Sequence, residues 1–167
     1  VVEYLDSIGV LDGNTLLVHT VWIDGKDMDL IRKRSAKIAH CPESNMKLAS
    51  GIAPVCELIS KNITVGLGTD GCASNNSHDL FGEMSMAAKL QKIHCMDPCA
   101  LDAQTVVKMA TIEGAKSIGL DHLIGSITPG KRADIILLDT RKPHMVPIYN
   151  PWSAIVYGVK ASDVTLT

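Results

Sequence analysis

Gly66-Leu67-Gly68-Thr69-Asp70-Gly71-Cys72-Ala73-Ser74-Asn75-Asn76 is the stretch on which the fold turns. An apolar run, Ile63 to Leu67, drops into a loop of small residues whose first charged member is Asp70. A short buried strand ending in a carboxylate is how α/β barrels set a catalytic group at the carboxyl edge of the sheet. Gly68 and Gly71 let the backbone turn tightly and let a ligand or metal come close. A lone strand-end aspartate serves equally well to cap the next helix, and this stretch alone leaves that alternative open.

The pattern recurs upstream with histidine in the same place. Thr15-Leu16-Leu17-Val18-His19 is an apolar strand ending in a residue able to bind metal or move protons. Ala36-Lys37-Ile38-Ala39-His40 repeats it, and Pro42 stops the strand because proline cannot continue a ladder. Helical spacing fills the gaps: Val1 to Ile8 first, then Gly25 to Arg34 and Ile52 to Lys61, each with apolar residues near one face. Strands alternating with helices predict a parallel sheet whose functional groups gather at the carboxyl edge. His19, His40 and Asp70 then stand at three successive strand ends.

Downstream the pattern changes. His78 to Gln91 predicts a helix, and Asp102 a cap for a second helix from Ala103 to Ser117, closed by Gly119. Gly125, Pro129 and Gly130 mark a turn. Ala133 to Leu138, Ala154 to Tyr157 and Val164 to Leu166 are strand-like, without helices between them. Residues 1–123 are thus expected to form an α/β unit and 124–167 a small β layer appended to it.

The 167 residues are 46% apolar, ample for a core, with a net charge of −2 that gives no reason to expect nucleic-acid or membrane binding. No apolar stretch approaches the ~20 residues needed to span a bilayer. The first residue is Val, and no signal-peptide pattern is present. Five cysteines without a Cys-x-x-Cys pair suit free thiols in a reducing cytosol, so a cytoplasmic location is expected and a cysteine metal site is not.

Taken together, Leu16-Leu17-Val18-His19-Thr20-Val21-Trp22, the run His40 to Leu48, and Gly68 to Asn76 resemble the amidohydrolase superfamily. The branch they are most similar to is that of the S-adenosylhomocysteine/5′-methylthioadenosine deaminases and the triazine chlorohydrolases. Gly125-Ser126-Ile127-Thr128-Pro129-Gly130-Lys131-Arg132-Ala133-Asp134 is similar to the segment by which these enzymes leave the barrel for a β-sandwich. The resemblance implies the C-terminal part, about strands six to eight, of a metal-dependent (β/α)8 TIM barrel plus part of that sandwich. It also implies what is absent: no two histidines are separated by one residue, so the family's first-strand His-x-His is missing. The fifth-strand histidine and its neighbouring glutamate are missing too.

Carried over residue by residue, the resemblance makes Asp70 the eighth-strand metal ligand and proton carrier, and His19 the sixth-strand residue beside the attacking water and substrate. Ser74 becomes a substrate contact. The alternatives are a backbone-bonded buried histidine for His19 and a helix cap for Ser74. His40 is left between a structural role and substrate contact, and His78, His94, His122 and His144 are assigned to surface or packing. The implied reaction is hydrolytic deamination of an adenosine-type nucleoside, with one divalent metal (zinc, or iron) in the full-length homo-oligomeric enzyme. Displacement on a triazine-like ring is the alternative, and a metal-free α/β binding module the alternative of another class. By itself this chain is expected to be inactive and to self-associate through open strand edges.

Overall fold

The computed structural model describes residues 1–167. Three short strands, β1 (Leu16–Val18), β2 (Lys37–His40) and β3 (Val65–Leu67), form a parallel sheet in the order β1-β2-β3. Leu17 lies opposite Ile38, and Ile38 opposite Val65. The pairing continues past the strands: the His19 amide donates to Ala39 O at 3.0 Å and the Gly68 amide to His40 O at 2.9 Å. His19, His40 and the start of the Asp70 loop are thereby brought to one level at the carboxyl edge. Both outer edges of the sheet are without a partner strand in this chain.

Helices fill the crossovers. α1 (Val2–Ser7) precedes β1, and α2 (Gly25–Lys33) joins β1 to β2. Asp24 starts α2 by accepting from the amides of Lys26 and Asp27 while the Asp27 side chain takes the Asp24 amide, a reciprocal cap. Two helices separate β2 from β3: α3 (Pro42–Lys47) and α4 (Val55–Ser60). The first was not expected. Pro42 ends the strand as predicted, but it does so as the first residue of a helix, where its missing N–H costs nothing.

After β3 come α5 (Leu80–Cys95), capped by Asp79, and α6 (Ala103–Ala110), capped by Asp102. The single helix expected over 103–117 is broken at Thr111, whose φ of −124° and ψ of −98° are not helical, and resumes as α7 (Ile112–Ser117). The break lets α7 turn onto the sheet. A Cβ on Gly66 would come 2.9 Å from Gly114 Cα and 2.8 Å from Ser117 Oγ, so two glycines permit strand and helix to meet backbone to backbone.

The core lies between sheet and helices. Ile31, Ile38, Val55, Leu58, Ala87, Ala88, Val106 and Val156 are all but completely buried in one cluster. At roughly 1.5–3 kcal/mol for each large aliphatic side chain, this cluster is the main source of stability. Val156 belongs to α8 (Pro151–Tyr157), which corrects the strand expected over 154–157. The β-branched pair Ile155-Val156 suggested a strand. Pro151 in the first turn and the Asn150 side chain, which accepts from the Ser153 amide at 3.1 Å, set a helix instead. Of the strand expected over 133–138, only β4 (Leu137–Leu138) pairs, antiparallel with β5 (Val164–Leu166). No helix is long and apolar enough to cross a membrane.

Candidate active site

The site is built from the loops after the three strands. Asp70 leaves β3 in the left-handed region at φ 61°, a conformation that aspartate tolerates better than most residues. Its carboxylate then collects three donors. Ser44 Oγ and Ser74 Oγ donate to Oδ2 at 2.7 and 2.6 Å, and the Gly71 amide donates to Oδ1 at 2.8 Å. Hydrogen bonds from Ser74, then Ser44, then Gly71 hold the Asp70 pKa at about 2, so the group is an anion at any ordinary pH. Asp70 does not cap a helix, since Asp79 caps the next one.

His19 also stands in the left-handed region, at φ 68°, followed by Thr20 at 46°. Its Nε2 is 3.6 Å from Asp70 Oδ2 and its Nδ1 is 2.9 Å from Asn45 Oδ1. With the Asn45 oxygen as acceptor, Nδ1 carries a ring proton, which fixes the orientation of the imidazole and leaves Nε2 facing the Asp70 carboxylate. His19 is therefore oriented by a side chain rather than by backbone. Ser74 likewise spends its hydroxyl on Asp70 rather than on a helix end.

The three residues singled out from the sequence, His19, Asp70 and Ser74, thus form one cluster, partly open to solvent. His40 sits behind it, fully buried, with neither ring nitrogen bonded. Burial, then the nearby His19, pushes its pKa down to about 4, and it stays neutral. Thr20 Oγ1 and Asn45 Nδ2 are buried and unbonded as well, so the wall of the site keeps polar valence unspent. Cys41 is buried, and its thiol is pushed up to about 11, first by burial and then by the Asp70 and Glu83 charges; it offers no thiolate. Two cavities of about 400 and 280 Å³ lie elsewhere, and neither is lined by His19, Asp70 or Ser74.

Of the remaining histidines, His94 and His122 are exposed, and His78 Nε2 lies 2.7 Å from Cys72 Sγ. His144 Nε2 pairs with the buried Asp163 at 2.8 Å, and Lys142 takes the other oxygen of that carboxylate at 2.8 Å.

Four residues of the site were not singled out from the sequence. Ser44 and Asn45 fell within a quoted motif, but their roles depend on α3, whose first turn points them at Asp70 and His19. Asn75 and Glu83 are bonded to each other at 2.6 Å beneath the loop. Their signal was a glutamate placed next to Met84 in an otherwise apolar helical stripe.

No group of three or more His, Cys, Asp or Glu side chains comes together in a way that could hold a metal ion. These residues supply one firmly anionic oxygen ligand, Asp70, with an imidazole nitrogen beside it. That donor pair suits a divalent metal as part of a ligand set but does not complete one.

Comparison with known proteins gives the family of the chain. The sequence profile of the amidohydrolase family matches residues 1–167, and the chain belongs to that family. It is 50% identical over 163 residues to a 5-methylthioadenosine/S-adenosylhomocysteine deaminase of Thermodesulfovibrio yellowstonii, covering 98% of this chain and 37% of that protein. It is 49% identical over 163 residues to a 5′-deoxyadenosine deaminase of Methanothermobacter thermautotrophicus, covering 98% of this chain and 38% of that protein. Among solved structures, an adenosine deaminase from Xanthomonas campestris with bound zinc matches with a TM-score of 0.95 at 38% identity, covering 98% of this chain and 37% of that one. The chain therefore spans little more than a third of the length of these relatives.

Proposed function

We propose that the protein carrying this chain is a metal-dependent aminohydrolase that removes the ring amine of an adenosine-type nucleoside: S-adenosylhomocysteine, 5′-methylthioadenosine or 5′-deoxyadenosine. The observation that carries the reading is the Asp70 carboxylate. It is kept anionic by three donors at the end of a parallel strand with His19 Nε2 beside it, in a chain half identical to deaminases of such nucleosides. The level of identity to those deaminases favours deamination over displacement on a triazine ring.

In this reading residues 1–123 are the C-terminal part of a (β/α)8 barrel. The parallel order β1-β2-β3 with both edges open is what three consecutive barrel strands present. Residues 124–167 leave the barrel for a partial β-sandwich represented by β4 and β5, while α8 returns to pack on the barrel helices. A divalent metal, zinc in preference to iron, supplies when bound a water acidic enough to attack near neutral pH. Asp70 would be one of its ligands, and the others lie outside these 167 residues.

The chain's own groups then have distinct work. Asp70 takes the proton of the attacking water and hands it to the departing amine, which leaves as ammonia. His19, held through Nδ1 by Asn45, presents Nε2 to the attacking water beside the ring carbon that becomes tetrahedral. Ser74 holds the carboxylate in place and can turn its hydroxyl to a polar ring atom of the substrate. The free thiols suit a reducing cytoplasm. The uncovered side chains of Ile135, Ile136 and Leu137 suit burial against another part of the whole protein or a second subunit of a homo-oligomer.

The test is ammonia release by the full-length protein from each of the three nucleosides, beside chloride release from a chlorotriazine, with metal content measured on the same sample. Ammonia from a nucleoside, lost on metal removal and restored by zinc, is expected. Chloride release without ammonia would move the assignment to the triazine branch, and full activity without metal would end it.

A further inference from the structure

Glu83 is fully buried on α5 and has no part in the chemistry proposed above, although it lies directly beneath the site. Its two oxygens face different elements. Oε1 accepts from Asn75 Nδ2 at 2.6 Å, and Oε2 accepts from the Glu43 amide at 3.2 Å. Asn75 is itself buried and ties its loop down further: Nδ2 also donates to Thr69 O at 3.0 Å, and Oδ1 accepts from the Ser77 amide at 3.0 Å. One carboxylate is thus bonded at once to the loop after β3 and to the first turn of the helix after β2.

What those segments carry gives the contact its meaning. Glu43 is followed by Ser44, which donates to Asp70, and by Asn45, which orients His19. Asn75 is preceded by Ser74, which also donates to Asp70. We propose that Glu83 is a positioning residue: it fixes the start of α3 and the 69–76 loop relative to each other, and thereby sets Asp70 and His19 in register.

Both side-chain oxygens are engaged as acceptors. Two N–H donors meet two oxygens, and glutamine, with one oxygen and one NH2, would turn a donor against a donor on one side. The burial of this group is costly. Glu43 on α3 and Asp70 in the loop face it with like charge, and Cys41 adjoins it. Burial first, and Glu43 and Asp70 after it, push the Glu83 pKa up to about 7, against the pull of the Glu43 amide and Asn75. Packing makes room for the arrangement: a Cβ at Gly82 would come 3.0 Å from Glu43 Oε1.

The kinetic part of this proposal rests on the deaminase reading; amide exchange tests it without substrate. In the full-length zinc-loaded protein, Glu83→Gln is expected to speed exchange on the order of tenfold or more in both 41–48 and 69–76, leaving α1 and β1 unchanged. Zinc content should stay at the wild-type level. Turnover should fall roughly 10- to 100-fold with KM within about twofold, as small misplacements of catalytic groups do. Asn75→Ala, which cuts one arm only, should loosen 69–76 and spare 41–48, and it keeps the test decisive if Glu83→Gln fails to fold. Unchanged exchange in either segment of Glu83→Gln, uniform loosening of the whole chain, or normal kcat with only a lower unfolding midpoint would overturn the proposal. Absence of deamination in the wild type would sink the deaminase reading, and exchange would still decide the role of Glu83.

Discussion

Replacing Asp70 by asparagine separates what the site holds from what it does. The carboxylate accepts three hydrogen bonds, two on Oδ2 from Ser44 and Ser74 and one on Oδ1 from the Gly71 amide. An asparagine that places its oxygen at Oδ1 keeps the Gly71 bond and turns its NH2 toward two hydroxyls, which can rotate to accept. The loop should therefore survive, and the unfolding midpoint should stay close to wild type. What is lost is the charge and the basicity. Loss of a positioned general base costs on the order of 10²- to 10⁴-fold in rate, and loss of the oxygen anion proposed as a metal ligand adds to it. In the full-length protein, the assay pairs ammonia release from 5′-methylthioadenosine with zinc content and substrate-analogue binding on the same preparation. Expected are a kcat at least ~100-fold down, reduced zinc, and analogue binding that falls far less. Near-normal turnover with full zinc occupancy would refute the role given to Asp70. The pH profile offers a second check: with its pKa at about 2, Asp70 contributes no titration to the rate anywhere above about pH 4.

His19→Asn should lower turnover while leaving zinc content nearly intact, since Nε2 stands beside Asp70 rather than completing a ligand set; parallel loss of zinc would count against that. Gly66→Ala should destabilise by about 1–3 kcal/mol in denaturant titrations, because its Cβ would meet the Gly114 backbone at 2.9 Å, and a variant as stable as wild type would show that α7 does not lie where described. Val156→Ala should cost roughly 1.5–3 kcal/mol, a loss that an exposed strand residue would not produce. Glu83 has a folded pKa of about 7 against an ordinary value of 4.5, so between those values the folded state binds more protons than the unfolded one. Stability should therefore fall as pH rises from about 4.5 to 7, and the fall should be shallower in Glu83→Gln; identical slopes would mean that Glu83 does not titrate in this range.

The alternation of apolar runs and helical spacing made the three strands and their parallel order readable, because buried parallel strands leave little choice of residue. His19 and Asp70 stood out for the same reason, since each follows a strand end; Ser74 was singled out only through the family resemblance. α3 was hidden because Pro42 stops a strand and starts a helix with equal ease. α8 was hidden because Ile155 and Val156 favour strands locally, whereas burial of Val156 among the helices and the Asn150 cap decide otherwise. The break at Thr111 follows from a tertiary contact, Gly66 against Gly114, between residues 48 positions apart. Ser44, Asn45 and Asn75 belong to the site only through bonds between separate segments, and no local pattern announces such bonds.

The site is assembled at a local cost that the rest of the fold offsets. His19, Thr20 and Asp70 all sit at positive φ, each of order 1 kcal/mol or more above the extended or helical alternatives. His40 is buried with both nitrogens unbonded, and Glu83 is a carboxylate in a dry interior facing Glu43 and Asp70. A chain optimised for stability alone would relax these features, for example by glycine at the positive-φ positions. The strained backbone and the Glu83 carboxylate instead bear on the proposed site atoms. The positive φ values turn His19 and Asp70 out of their strands and toward each other, and the Glu83 bonds hold the two supporting segments against that turn. Substitutions that relieve one of these features, such as Thr20→Gly at a φ of 46°, should stabilise this region while slowing the reaction, and gains in both from one change would contradict this account of the site.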